Sequence, residues 1–397
     1  MLITFVIILL LGILAGTLTG LCPGIHINLV GTIIISLFAI LTKITSPINI
    51  IIFVVAMGIS HSFIDFIPSI FLGAPEEDTF LSVLPGHLML KKGLAYEAIF
   101  ISSLGCLFGT FITLIIAPIF IILLPKFQNI LTILIPYVLI LSVVFLISKE
   151  NKKFIAIIVF ILSGFLGLAV LNLSIKEPLL PMLSGLFGVS SLMISIKTKV
   201  EIPPQIITKP KVRLKNIKKP LLASILFSPL CSIFPAIGSG QASAIGSSFF
   251  KLSKKGFLFL VGSANTIVLG LSFIVLYSIA KSRTGIAATV NKIIPVLSSK
   301  EVLIILITII ITGVICFYLT LYLAKKFSKI ISSVNYQKVS IVVIIIISLI
   351  TLIVSGFIGL LILAISSAVG LFGIQSGARR INLIGCLMLP TILIYIL

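Results

Sequence analysis

Residues Glu301–Ala324 read EVLIILITIIITGVICFYLTLYLA, an apolar run whose only charged side chain stands at its first position. As a helix rising 1.5 Å per residue, this run is long enough to cross the roughly 30 Å hydrocarbon core of a bilayer. A strand of a transmembrane β-barrel would instead alternate apolar and polar residues. The run therefore predicts a membrane-spanning helix.

Three more stretches have the same character: Leu2–Gly16, Ile48–Leu72 and Ser340–Leu363. Over the whole chain of 397 residues, 59% are hydrophobic, 10% are charged, and the mean hydropathy is +1.36. Soluble domains are about 45–50% apolar and about 25% charged. We expect an all-α polytopic membrane protein of about 10 spanning helices with additional re-entrant or broken hairpins, located in the plasma membrane.

The formal charge of +20 comes from basic residues in short loops between apolar runs. Such loops mark the cytoplasmic side of a membrane protein, so the charge predicts orientation and not nucleic-acid binding. The largest cluster, Lys197–Lys219, holds eight Lys and Arg residues against the single Glu201. We interpret residues 197–220 as a cytoplasmic linker between a first membrane repeat, 1–196, and a second, 221–397.

Each half contains the same order of segments: a hairpin broken at Pro or Gly, a span, a second broken hairpin and a long span. In the first half these begin near Pro23, Ile48, Gly73 and Leu94, and in the second near Pro235, Gly256, Arg283 and Glu301. The basic loops place Lys43 outside and Lys255 inside. The pattern predicts two inverted-topology repeats with a site between them, and the alternative is a plain bundle with kinked helices.

The first break lies in Gly20-Leu21-Cys22-Pro23-Gly24-Ile25-His26-Ile27-Asn28. Proline stops a helix and glycine permits the turn that follows. Non-helical backbone at membrane depth survives only inside protein or beside a watery cavity. We therefore expect Pro23, Gly24, His26 and Asn28 to bind substrate.

The matching break follows Pro235 and is rich in small and hydroxylated residues. Free backbone N–H groups at a helix N-terminus attract carboxylate or phosphate. We expect Pro235, Gly238, Ser239, Gly240 and Gln241 to form the other wall of an anion site, although the same composition also serves helix packing.

His61 and Asp65 stand four residues apart in an apolar span, where a charge costs at least about 2.5–3.5 kcal/mol. They suggest a site for a coupling proton or sodium ion, and the alternative is a capped or protonated Asp near a helix end. The acidic run Glu76, Glu77 and Asp78 is the tip of the second hairpin or a solvated loop. As the tip, it would bind the coupling cation. The pattern predicts no cofactor and no metal site.

Three short motifs resemble the large membrane subunit of tripartite tricarboxylate transporters, the TctA-type permeases, and their shorter archaeal-type relatives. They are Gly20-Leu21-Cys22-Pro23-Gly24, the segment Gly86–Ala98 with Lys91-Lys92-Gly93 and Glu97-Ala98, and Gly185-Leu186-Phe187-Gly188-Val189-Ser190.

This resemblance implies a permease for a small organic anion, a carboxylate, coupled to Na⁺ or H⁺. It also implies a small membrane subunit and an extracytoplasmic binding protein as partners, unless a shortened relative works alone. A homodimer is a further possibility. The competing function is a flippase for a phosphorylated lipid carrier such as polyprenyl phosphate. A membrane protease using Glu76, Glu77, His61 and His87 is disfavoured, because the Arg and the downstream His pair of that pattern are absent.

Overall fold

The computed structural model describes residues 2–22, 27–73, 79–197, 202–207, 210, 214–331 and 335–397. These residues form helices joined by short turns, and no strand occurs among them. The helices are α1 Leu2–Leu21, α2 Ile27–Ser36, α3 Phe38–Ile44, α4 Pro47–Ile64, α5 Phe66–Phe71, α6 Phe80–Leu90, α7 Ala95–Ser148, α8 Lys153–Leu171, α9 Leu179–Leu183, α10 Ser190–Lys197, α11 Leu214–Ile233, α12 Ser239–Phe249, α13 Lys254–Ile279, α14 Gly285–Ile293, α15 Ser299–Ile330, α16 Tyr336–Ser376 and α17 Gly385–Ile396. A π-helical turn, Ser184–Val189, joins α9 to α10, and a 3₁₀ turn, Arg380–Ile384, precedes α17.

Within the described residues, eight helical segments are long and apolar enough to cross a membrane. The predicted all-α polytopic membrane protein is therefore confirmed. Two of the eight, α7 and α16, are much longer than one crossing requires, and their contacts show that each one folds back.

In α7, Glu97 near the start pairs with Lys255 at 2.6 Å, whereas Phe145 near the end stacks on Phe249 at 5.5 Å between ring centroids. A straight helix would separate Glu97 from Phe145 by about 72 Å. Phe249 and Lys255 are close in sequence and cannot lie more than about 22 Å apart. The helix therefore bends sharply, and its first arm corresponds to the long span predicted to begin near Leu94.

In α16, the helix is interrupted at Gly356, whose φ of 68° lies in the left-handed region that glycine tolerates. Gln337 on one arm donates to the Ile196 carbonyl at 3.0 Å, and Gly370 on the other arm packs beside Ser190. Because both contacts are on the short α10, the two arms lie side by side. The expectation of a single uninterrupted span over Ser340–Leu363 is wrong, since the break falls inside it.

Glycines on α1 allow it to pack closely against α4. A Cβ added at Gly12 would meet Ala56 Cβ at 2.8 Å, and one added at Gly16 would meet Ser60 Cβ at 2.7 Å. Between helices in lipid, such small-residue stripes permit the close packing that drives association. Because a later residue of α1 contacts a later residue of α4, the two helices run parallel.

The most apolar stretch of α4–α5 is 94% buried, and that of α13 is 100% buried. These two lie at the centre of the molecule, whereas the most apolar stretches of α1, α7 and α16 are only 22–28% buried and face lipid. A second group of helices, α8, α9, α10, α16 and α17, packs mainly on itself, and we call it the peripheral bundle.

Two pairs of long helices run parallel. Along α4–α5 and α15, Ser60 lies beside Cys316, and further on Phe71 stacks on Phe327 at 6.1 Å. Along α7 and α13, Glu97 pairs with Lys255. Further on in the same direction, Gly270 approaches a threonine of α7.

The first arm of α7 and α15, which hold corresponding places in the two halves, run in opposite directions. Phe100 packs on Phe317 with 6.0 Å between ring centroids. Further along α7, Thr110 packs against Gly313, which is earlier in α15. These directions agree with the predicted inverted repeats. The boundaries at residues 196 and 221 stay predictions.

The short helices pack across the two halves. Helices α2 and α3 meet at a bend of 73°. Helix α14 packs against α2 and α4, and α6 packs against α13. Each half therefore places a short helix against the central helix of the other half.

Candidate functional site

A cavity of about 270 Å³ opens where the two halves and the peripheral bundle meet. Helices α2 and α4 supply one wall, and α13 with the segments before α12 and α14 supplies the opposite wall. Residues of α9 and α17 complete it. The lining residues are Ile27, Asn28, His61, Ser62, Asp65, Leu179, Cys231, Ala236, Ile237, Gly238, Asn265, Val268, Leu269, Arg283, Thr284, Gly285, Leu387 and Thr391.

Asp65 is 4% exposed and occupies the kink between α4 and α5. Its Oδ2 accepts a hydrogen bond from the Thr79 hydroxyl at 2.5 Å, and its Oδ1 accepts one from the Ser69 hydroxyl at 3.2 Å. The two hydroxyls are themselves 2.8 Å apart. The carboxylate therefore ties the end of α4–α5 to the start of α6 while remaining on the cavity wall.

His61 lies one turn before Asp65 on the same face of α4. Its Nδ1 is 3.0 Å from the Thr19 hydroxyl, which also donates to the Gly16 carbonyl at 3.1 Å. The Thr19 hydroxyl therefore bridges the His61 ring and the backbone of α1. The α1 helix thus fixes the orientation of the ring.

Asn265 links the two central helices. Its Nδ2 donates to the Ser62 carbonyl at 3.3 Å, and the side chain is 4% exposed. Among the described residues, its Oδ1 accepts no hydrogen bond, so this acceptor is available on the cavity wall.

Arg283 carries the cavity's cationic group, in the segment between α13 and α14. Its Nε is buried and has no hydrogen-bond partner among the described residues. The guanidinium lies next to the Tyr395 hydroxyl of α17, and no described carboxylate pairs with it. A partly buried cation without a partner of opposite charge is costly unless a ligand balances it.

Asn28, in the first broken hairpin, contacts the segment that carries Arg283. The side chain of Asn28 lies against Gly285, where a Cβ would collide with the carboxamide. Gly31, further along α2, packs in the same way against Thr289 of α14. The absence of side chains at these two glycines lets α2 lie directly on α14.

The second break begins at Ala236, which adopts a φ of 57°, unusual for a residue with a side chain. Gln241 stabilises it, since its Oε1 accepts from the Gly238 N–H at 2.8 Å and its Nε2 donates to the Ala236 carbonyl at 3.3 Å. The Gly238 N–H is therefore already bonded and is not available to an anion.

The predicted site residues fall into three groups. Asn28, His61, Asp65 and Gly238 line the cavity. Pro235, Ser239, Gly240 and Gln241 adjoin it without lining its wall. Pro23, Gly24, His26, Glu76, Glu77 and Asp78 lie outside the described residues.

Sequence reasoning missed Arg283, Thr284 and Asn265 as lining residues. The segment around Arg283 was predicted only to be a broken hairpin, and its basic side chains were used only to predict orientation in the membrane. An Asn in the middle of the predicted span Gly256–Ala280 was an available signal, because a polar side chain at that depth needs a partner.

The arrangement can bind an anion at Arg283 and a proton or cation near Asp65. Across the part of the chain that the structure describes, no group of three or more His, Cys, Asp or Glu side chains could hold a metal ion.

The sequence model of the tripartite tricarboxylate transporter TctA family matches residues 6–385. The chain is also 30% identical over 402 residues to the uncharacterised protein MJ1079 of Methanocaldococcus jannaschii, and the alignment covers 98% of each chain. No solved structure matches the chain. The predicted resemblance is confirmed.

Proposed function

The chain belongs to the tripartite tricarboxylate transporter TctA family, and on that premise we propose that it carries a small organic anion through the cavity between its halves. It is a multi-pass membrane protein and a transporter component. The anion is a carboxylate, and its movement is coupled to H⁺ or Na⁺. The location is the plasma membrane.

The observation that carries this proposal is the guanidinium of Arg283 on the cavity wall. It has an unpartnered buried Nε, and no described carboxylate pairs with it. Arginine donors match the two oxygens of a carboxylate in a planar, bidentate geometry. An incoming carboxylate would satisfy both the charge and the missing hydrogen bond.

Coupling is proposed at Asp65, which shares the cavity with Arg283. The oxygens of Asp65, Ser69 and Thr79 cluster within hydrogen-bonding distance. Oxygen ligands of this kind suit a hard cation, and the carboxylate alone could take a proton. Either ion would neutralise Asp65 while the substrate neutralises Arg283.

Members of this family work with a small membrane subunit and a binding protein, and the same partners are proposed here. The cavity volume of about 270 Å³ suits a small solute, since it lies just below the range of about 300–1,000 Å³ that is usual for ligand sites. The lipid-carrier alternative gains nothing from the family match.

The test is binding of radiolabelled carboxylates to the purified full-length chain, followed by uptake into proteoliposomes. Arg283→Gln should abolish saturable binding, because it removes the charge and keeps a polar side chain. The matched control is Lys281→Gln, since Lys281 is in the same segment but hydrogen-bonds Thr132 at 2.7 Å and does not line the cavity. Unchanged binding in Arg283→Gln would refute the proposal.

A further inference from the structure

We infer that the preferred anion is a short monocarboxylate with a hydroxyl group at its other end, a narrower class than small carboxylates in general. This inference rests on the proposed function and adds a substrate class to it. It follows from the charges of the cavity and from the spacing of its two polar ends.

The described residues lining the cavity include one Arg and one Asp, and no Lys or Glu. One guanidinium can pair with one carboxylate through two hydrogen bonds. Each further carboxylate on the same molecule would enter the cavity without a described cation to pair with it, at a cost of several kcal/mol. The charge balance therefore favours an anion with a single negative group.

The polar groups lie at two separate ends of the cavity. At one end, the Thr284 hydroxyl next to Arg283 is 2.9 Å from the Ser272 hydroxyl of α13. At the other, Asn265 of α13 bonds the Ser62 carbonyl. Because Asn265 and Ser272 are two helical turns apart, the ends are separated by about 10 Å along α13.

The apolar side chains of Val268 and Leu269 lie between these ends. The cavity volume of about 270 Å³ leaves room for a small solute between them.

The Asn265 end suits an uncharged donor. The Oδ1 of this carboxamide accepts no hydrogen bond from the described residues, and Asp65 lies one helical turn beyond Ser62. A second carboxylate at this end would face the like charge of Asp65 and an acceptor oxygen. A hydroxyl group would instead donate to Asn265 Oδ1.

The test uses equilibrium binding of four compounds to the purified full-length chain: glycerate, propionate, succinate and citrate. We expect glycerate to bind roughly tenfold more tightly than propionate, which lacks the hydroxyls. Succinate and citrate should bind more weakly than propionate.

The variant Asn265→Ala should reduce the glycerate-to-propionate affinity ratio from roughly tenfold to near unity. The conservative Asn265→Gln should recover part of the ratio. The measured quantity is the ratio of two affinities in the same variant. A general loss of affinity would lower both affinities and leave the ratio unchanged.

Tighter binding of succinate or citrate would overturn this inference and leave the proposed anion transport standing. A wild-type ratio in Asn265→Ala would overturn the role of Asn265. If none of the four carboxylates binds, the proposed function fails together with the inference.

Discussion

The Arg379 guanidinium Nε lies 2.7 Å from the Glu150 Oε1, and this ion pair joins the turn after α7 to the turn before α17. The Glu150 side chain is 5% exposed and that of Arg379 is 44% exposed. Asn382 Nδ2 donates to the same carboxylate oxygen at 2.9 Å. The peripheral bundle is thereby attached to the arm of α7 that returns across the membrane.

This pair predicts unequal effects of its two partners on stability. Arg379→Leu leaves a buried carboxylate with Asn382 as its remaining described partner, and should lower stability by about 2 kcal/mol. Glu150→Gln leaves a half-exposed guanidinium that water can solvate, and should cost less than about 1 kcal/mol. Thermal unfolding of both variants in detergent measures the difference, and equal melting temperatures would contradict it.

The α1–α4 contact predicts a strict size limit at Gly16. A larger side chain would collide with the backbone of α4, and Gly16→Leu should destabilise the folded protein by roughly 2 kcal/mol. The control is Leu14→Ala, at a position 56% exposed to the surroundings. The yield of monodisperse protein on size-exclusion chromatography is the measurement, and a normal yield for Gly16→Leu would show that the contact can relax.

The cation role of Asp65 predicts loss of ion-dependent uptake in Asp65→Asn. The amide keeps the shape but cannot carry the charge that binds a proton or sodium ion. Uptake into proteoliposomes is measured with and without an ion gradient. Gradient-driven uptake at the wild-type rate would show that Asp65 has a structural role only.

The matched control for Asp65 is Glu97→Gln, an acid-to-amide change at a carboxylate that pairs with Lys255 away from the cavity. His61→Gln should in addition shift the pH dependence of uptake if the coupling ion is the proton.

The helix directions predict opposite sidedness for Lys43 and Lys255. Lys43 precedes α4 and Lys255 begins α13, and the parallel and antiparallel contacts place these two ends at opposite sides of the bundle. A cysteine at position 43 should react with an impermeant maleimide from outside the cell, and one at position 255 only after permeabilisation. Labelling of both from the same side would be incompatible with inverted repeats.

The spans were predictable where hydropathy alone decides them. Helix α15 was expected over Glu301–Ala324 and extends only a few residues beyond that range, since continuous apolar residues between polar ends leave no alternative in lipid. The break at Gly356 was not predictable, because a lone glycine in an apolar run more often serves helix packing.

The site was predictable in part. The polar residues Asn28, His61 and Asp65 are conspicuous in apolar surroundings, and the cavity contains all three. Arg283 was overlooked because a charge near a helix end usually reaches the membrane surface. Only the packing of α14 against α2 and α4 shows that the segment before α14, which carries Arg283, lies inside the protein.

The opposite directions of α7 and α15 have a thermodynamic consequence. If the halves exchange their conformations, the state that is open to one side of the membrane has the same kinds of helix contacts as the state that is open to the other side. The two end states then differ little in free energy, and the carrier has no built-in preference for import or export. The solute concentration that half-saturates transport should therefore be similar from either side of the membrane, and the ion gradient and the binding partner would supply the direction of net flux.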